Sequence, residues 1–161
     1  MLVNPVLIHL VAVGTRMPAW VTGGYHEYAG RLPRECSLRL VEIPPCKRRK
    51  NLNTGRIKEQ EGQQILAALP PQGTVIALDV HGKAWDTEAL ATRMQDWMQG
   101  GHDVALLVGG ADGLSDECLQ RADLCWSLSA HTLPHALVRV VIAEQLYRAW
   151  TILTGHPYHR A

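Results

Sequence analysis

Val104-Ala105-Leu106-Leu107-Val108-Gly109-Gly110-Ala111-Asp112-Gly113 is a run of five apolar residues that passes straight into a glycine-rich turn. An apolar run this short, closed by glycine, reads as a strand buried on both faces. Working outward, Ser115 can cap a short helix over residues 116–122, and residues 124–128 form a further short strand. The last helix starts near Pro134 and extends to about Thr154. Upstream, Asp86 can cap a helix over residues 87–99 that carries Leu90, Met94 and Trp97 on one side and stops at Gly100-Gly101. Residues 74–78 are a strand ended by Asp79.

Further back, Asn53 or Thr54 caps a helix over residues 54–69 with one stripe of Ile57, Ile65, Leu66 and Leu69. Residues 37–43 alternate as a strand. Pro18 opens a helix to about Leu32 that Gly23 and Gly24 weaken. Residues 6–13 repeat the buried-strand pattern and end at Gly14. Strands separated by helices imply a parallel sheet covered on both faces, with ligands held outside the carboxyl ends of the strands. The loops after Leu78, Val108 and Leu128 are then the natural lining of one pocket. The last helix is apolar almost all round, from Leu137 and Val138 to Ile152 and Leu153, and needs two burial surfaces. A second subunit and a central place in the core both supply them.

The 161 residues are one domain's length, and 47% hydrophobic against 19% charged allows a real core while excluding a disordered chain. No apolar run is long enough to span a bilayer, and no export signal precedes the first strand. A cytoplasmic protein without membrane partners is expected, with residues 1–5 a short extension. Cys36, Cys46, Cys118 and Cys125 form no C-x-x-C pair and have no histidine at zinc-ligand spacing, so reduced thiols and no metal are expected. Charge is uneven. Residues 1–70 hold ten Lys/Arg against five Asp/Glu, net +5, while residues 71–161 hold six against ten, net −4. The first half suits a polyanion.

Singly, the motifs are weak. Gly109-Gly110-Ala111-Asp112-Gly113 serves a tight turn as readily as a cofactor cradle, and it is neither G-x-G-x-x-G nor a P-loop. The hydroxyl-rich segment from Ser127 to His135 can offer backbone groups to an adenine edge, or merely cap the last helix. Lys47-Arg48-Arg49-Lys50, followed by Arg56 and Lys58, can neutralise phosphates, although charge runs are commonly just solvated. The tail, residues 155–161, is aromatic and basic and can dock into a site. Termini are by default loose.

Taken in order, the motifs carry a resemblance. They are Leu10-Val11-Ala12-Val13-Gly14-Thr15, Leu78-Asp79 with Gly82-Lys83 and Trp85-Asp86-Thr87, and Val108 to Ser115. With them go Trp126 to Ala130, Thr132-Leu133-Pro134-His135, Leu137-Val138-Arg139-Val140, Glu144 to Trp150, and His156-Pro157-Tyr158-His159-Arg160. From about Val6 onward the chain resembles the ribosomal RNA large subunit methyltransferase H family. These are the 23S rRNA pseudouridine-N3 methyltransferases, minimal members of the SPOUT superfamily. The resemblance implies a single domain over residues 1–161, an α/β fold with a parallel sheet flanked by helices, a C-terminal trefoil knot and a homodimer. Pattern reading alone would not propose a knot, because knots are almost absent from proteins.

The resemblance also implies S-adenosyl-L-methionine (SAM) as cofactor, held by Leu78, Gly109, Gly110, Leu128, Ser129, Ala130, His131, Thr132 and Leu133. The implied partner is 23S rRNA in the large subunit or assembled ribosome, met by Lys47, Arg48, Arg49 and Lys50. One subunit's Tyr158, His159 and Arg160 would complete its partner's substrate pocket. His131, Arg49 and Ala161 depart from the family pattern, in which an apolar residue, a glycine and an acidic residue are common.

Methyl transfer from a sulfonium asks the protein chiefly for alignment. The acceptor N3 must lose a proton, with His135, Tyr158 and His159 the candidate assistants, and Arg160 or Arg148 can stabilise a developing anion. A non-catalytic rRNA-binding assembly factor is the alternative, separated by whether the chain binds SAM. A nicotinamide oxidoreductase is disfavoured by the missing dinucleotide fingerprint.

Overall fold

The computed structural model describes residues 5–160. The expected extension therefore lies, Pro5 apart, outside the described residues, as does Ala161. In chain order the elements are β1 (Val6–Val13), α1 (Ala19–Ala29), β2 (Cys36–Ile43), α2 (Thr54–Ala67), β3 (Thr74–Ala84) and α3 (Thr87–Gly100). Then come β4 (Val104–Val108), α4 (Asp116–Arg121), β5 (Leu124–Ser127), α5 (His135–Thr154) and a 3₁₀ turn (Pro157–Arg160). All strand pairs are parallel, in the order β2-β1-β4-β3-β5.

Alternation along the strands splits the core in two. Ile8, Leu10, Ala12, Ile76, Leu106 and Val108 face a cluster with Tyr25, Leu90, Met94, Ile142 and Leu146, so α1, α3 and α5 cover that side. Val11, Val13, Val75, Ala77, Ala105 and Leu107 face Ile65, Leu114 and Cys118, so α2 and α4 cover the other. The helix after β1 thus lies on one side and the helix after β4 on the opposite side. The connections leaving these neighbouring, still paired strands therefore diverge at the carboxyl ends, which opens the crevice where α/β sheets hold ligands.

Most boundaries fall within two residues of the sequence reading, and three features depart from it further, each for a local reason. α1 stops at Ala29 rather than near Leu32, because Gly30 caps it through a bond to the His26 carbonyl and Pro33 follows closely. β3 does not end at Asp79. Its pairing with β5 breaks after Leu78 and resumes at Lys83 and Ala84 opposite Trp126 and Ser127, so Asp79 to Gly82 is a bulge inside the strand. Gly82 is required there, since a β-carbon would sit 2.7 Å from the backbone of Cys125 and Trp126. The tail does not fray. It forms a 3₁₀ turn against α5.

α5 lies against α1 and α3, with Val138, Ile142, Ala143, Leu146 and Ala149 buried. Leu137, Val140, Val141, Trp150, Ile152 and Leu153 are only half-buried. A single chain therefore supplies one of the two burial surfaces this helix asks for. All four cysteines are free thiols, with Cys36 and Cys118 buried.

Candidate functional site

A cavity of about 770 Å³ opens at the carboxyl ends of β3, β4 and β5. The loops after Leu78, Val108 and Leu128 therefore do meet. Eight of the nine residues expected to hold a cofactor line this cavity: Leu78, Gly109, Gly110, Leu128, Ser129, His131, Thr132 and Leu133. Ala130 is exposed and does not line it. The volume lies in the range that takes a small organic ligand.

The glycine loop makes this cavity by closing on itself. Gly113 N–H donates to the Gly110 carbonyl at 3.1 Å, with Gly113 at a φ of +85°. A β-carbon on Gly109 would lie 2.4 Å from the Gly113 backbone, so only glycine fits. The following turn is held by its hydroxyls. Ser127 Oγ donates to the Ser129 carbonyl at 2.9 Å, and Ser129 Oγ accepts from His131 N–H at 2.9 Å. Ser127 thus spends its proton inside the loop, while Ser129, which only accepts there, keeps its own O–H free to donate to a ligand beside the backbone groups. Behind the cavity Trp126 stacks on Trp85 at 5.0 Å, and Arg93 covers the outer ring at 4.0 Å.

Lys47, Arg48, Arg49 and Lys50 are all exposed on the segment before α2. Arg48 pairs with Asp112 at 2.8 Å, which ties the cationic segment to the glycine loop. A second, smaller cavity of about 250 Å³ sits between those two segments, and Gly14, Glu61 and His135 also line it. His135 lines both cavities.

The tail residues stand elsewhere. Tyr158 Oη donates to Glu144 Oε1 at 3.1 Å, Arg148 Nε donates to the same oxygen at 2.8 Å, and Tyr147 meets the Tyr158 ring edge-on at 4.7 Å. Burial, then the neighbouring Tyr28 hydroxyl and the Glu144 carboxylate, push the Tyr158 phenol up to about 12. At neutral pH it is a hydrogen-bond donor and not a proton acceptor. Glu144 is two and a half turns along α5 from His135, about 13 Å by helix rise. Within one chain neither Tyr158, His159 nor Arg160 lines either cavity.

Two buried charges were given no role in the sequence reading, although Arg139 stands in one of its motifs. Arg139 is 1% exposed, and its Nη1 donates to Glu42 at 2.8 Å while Nη2 donates to the Gly14 carbonyl at 2.8 Å. It pins the loop after β1 to α5. Glu61 is 5% exposed, and its Oε2 accepts from Cys46 N–H at 3.0 Å. Both had a legible signal. Glu61 falls four residues after Ile57 and four before Ile65, on the apolar stripe of α2, and Arg139 interrupts a run of valines.

A family model described as "Predicted SPOUT methyltransferase" matches residues 6–159. Ribosomal RNA large subunit methyltransferase H of Thioalkalivibrio sulfidiphilus is 60% identical over 153 residues, 95% of this chain and 98% of that protein. The protein of the same name from Methylococcus capsulatus is 58% identical over 95% of this chain and 99% of its own length. A solved structure of a probable methylase family protein from Haemophilus influenzae Rd KW20 aligns with a TM-score of 0.55 at 13% identity. It covers 96% of this chain and 70% of that one, a likeness of fold alone. The three strand-end loops meet as a methyl donor's cradle would require, the match runs almost end to end, and the chain belongs to the ribosomal RNA large subunit methyltransferase H family of SPOUT methyltransferases.

Proposed function

We propose that this protein is a SAM-dependent methyltransferase that methylates N3 of a pseudouridine in 23S rRNA of the assembled ribosome. The observation that carries the reading is the 770 Å³ cavity, walled by a glycine loop that leaves no space for a β-carbon at Gly109, in a chain of this family. Leu78, Gly109, Gly110 and the segment 128–133 would hold SAM. When bound, SAM supplies a methyl group on a sulfonium, already activated for in-line displacement, so the reaction calls on no metal.

The protein's share is to align the acceptor and to accommodate its proton. His135 is the candidate to take the N3 proton, being the imidazole common to both cavities. Tyr158, a neutral phenol, can donate a hydrogen bond but cannot act as base at neutral pH. The exposed Lys47–Lys50 cations would bind rRNA phosphates. In this proposal the chain acts as one domain in the cytoplasm, as a homodimer with a C-terminal trefoil knot. The half-buried apolar side of α5 supports the dimer. The tail would then serve the partner's pocket, since within one chain its described residues, 155–160, line neither cavity.

Purified ribosomes incubated with the protein and labelled SAM test the reading. Label should appear on N3 of one pseudouridine of 23S rRNA. Ribosome binding without methyl transfer, together with no SAM binding by calorimetry, would replace it with a non-catalytic assembly factor.

A further inference from the structure

Apart from Gly110, the residues of the smaller cavity lie outside the expected cofactor set, and among them is a buried acid, Glu61. Glu61 is buried, yet it joins no salt bridge among the described residues. Its one hydrogen bond among those residues is from Cys46 N–H to Oε2. A carboxylate can accept about four hydrogen bonds, and burying one with so few partners is costly. Gly110 lets the opposite wall come close, since a β-carbon there would stand 3.3 Å from Oε1 and 3.5 Å from Oε2. The cavity therefore presents an acceptor with spare capacity.

Its position is equally specific. The cavity lies at the carboxyl ends of β1 and β4, where the helices diverge to opposite faces of the sheet. Cys46 and Arg48 of the cationic segment form one wall, and Gly110, Asp112 and His135, which also line the donor cavity, form the other. A volume of about 250 Å³ has room for a single base ring turned out of an RNA strand.

We propose that this cavity receives the acceptor base, and that Glu61 selects pseudouridine over uridine by accepting a hydrogen bond from N1–H. This rests on the functional reading above. The chemistry follows from the isomer. Pseudouridine joins its sugar through carbon, so its ring keeps an N1–H donor that uridine does not have. A buried carboxylate rewards that donor and is left short of a partner when uridine enters.

The test compares kcat/KM on large subunits carrying pseudouridine, uridine or 1-methylpseudouridine at the target position. For the wild-type protein, both replacements should lower kcat/KM by about 100-fold or more, since sites built around a hydrogen bond reject analogues lacking it. In Glu61→Gln, the ratio of pseudouridine to uridine should fall at least tenfold, with SAM affinity unchanged by calorimetry. If Glu61→Gln slows both substrates equally, the residue only holds Cys46 and the proposal is overturned. Equal wild-type rates on pseudouridine and 1-methylpseudouridine overturn it without recourse to any variant. Failure of the wild-type protein to methylate N3 of any substrate would instead fall on the functional reading, and would carry this proposal down with it.

Discussion

Gly109 shows how a single absent atom shapes the larger cavity. Its missing β-carbon would sit 2.4 Å from the Gly113 carbonyl carbon and 2.7 Å from Leu114 N, both rigid backbone. Gly109→Ala must therefore open the loop, and strain of this kind is worth roughly 1–3 kcal/mol. SAM affinity measured by calorimetry should fall about tenfold to a hundredfold. Arg139 acts on the neighbouring loop differently, by a buried guanidinium that satisfies the Gly14 carbonyl and Glu42 together. Glu61 is the counter-example, a buried acid whose acceptor capacity its own fold leaves mostly unused.

At the scale of elements, α2 and the segment before it work as one unit. Asn53 caps α2 by accepting from Arg56 N–H at 2.9 Å, and Glu61 reaches back to Cys46. Gly62 lets α2 close on α4, since a β-carbon there would meet Ser115 Oγ at 2.3 Å. This rigid base projects four cations into solvent. Replacing Lys47, Arg48, Arg49 and Lys50 by Ala should weaken ribosome binding and flatten its log–log salt slope by about two to three. Calorimetric SAM affinity should stay nearly unchanged, because only Arg48 touches the glycine loop, through Asp112. Ribosome affinity equal to wild type would count against the segment as an RNA contact. α5 serves both ends of the molecule: His135 at its start faces the cavities, and Glu144 further along anchors the tail.

The whole molecule raises a question of completeness. Both cavities lie at the carboxyl edge of the sheet, while Tyr158, His159 and Arg160 pack beside α5 away from them. If the tail acts in the partner's pocket, activity belongs to the pair. Mixing a chain lacking residues 155–161 with the Gly109→Ala chain should restore methylation to roughly a quarter of wild type, since random pairing gives one complete site in half the dimers. Each variant alone should be far less active. A mixture no more active than the sum of its parts would place the tail's role within its own subunit.

Much of this was written locally. The buried strands at residues 6–13 and 104–108, the caps at Asn53, Asp86 and Ser115, and the meeting of the loops after Leu78, Val108 and Leu128 all follow from short-range pattern. Backbone hydrogen bonding and side-chain periodicity act over a few residues, so a linear string records them. Even the two buried charges left a mark, as polar residues at apolar positions. What needed tertiary structure was pairing across distance: Arg139 with Gly14, Glu61 with Cys46, Arg48 with Asp112, and the bulge of β3 against β5. The same holds for the docked tail, whose anchor is a carboxylate on another element. Such contacts depend on where distant segments land once the sheet has formed, and no spacing in the chain encodes that.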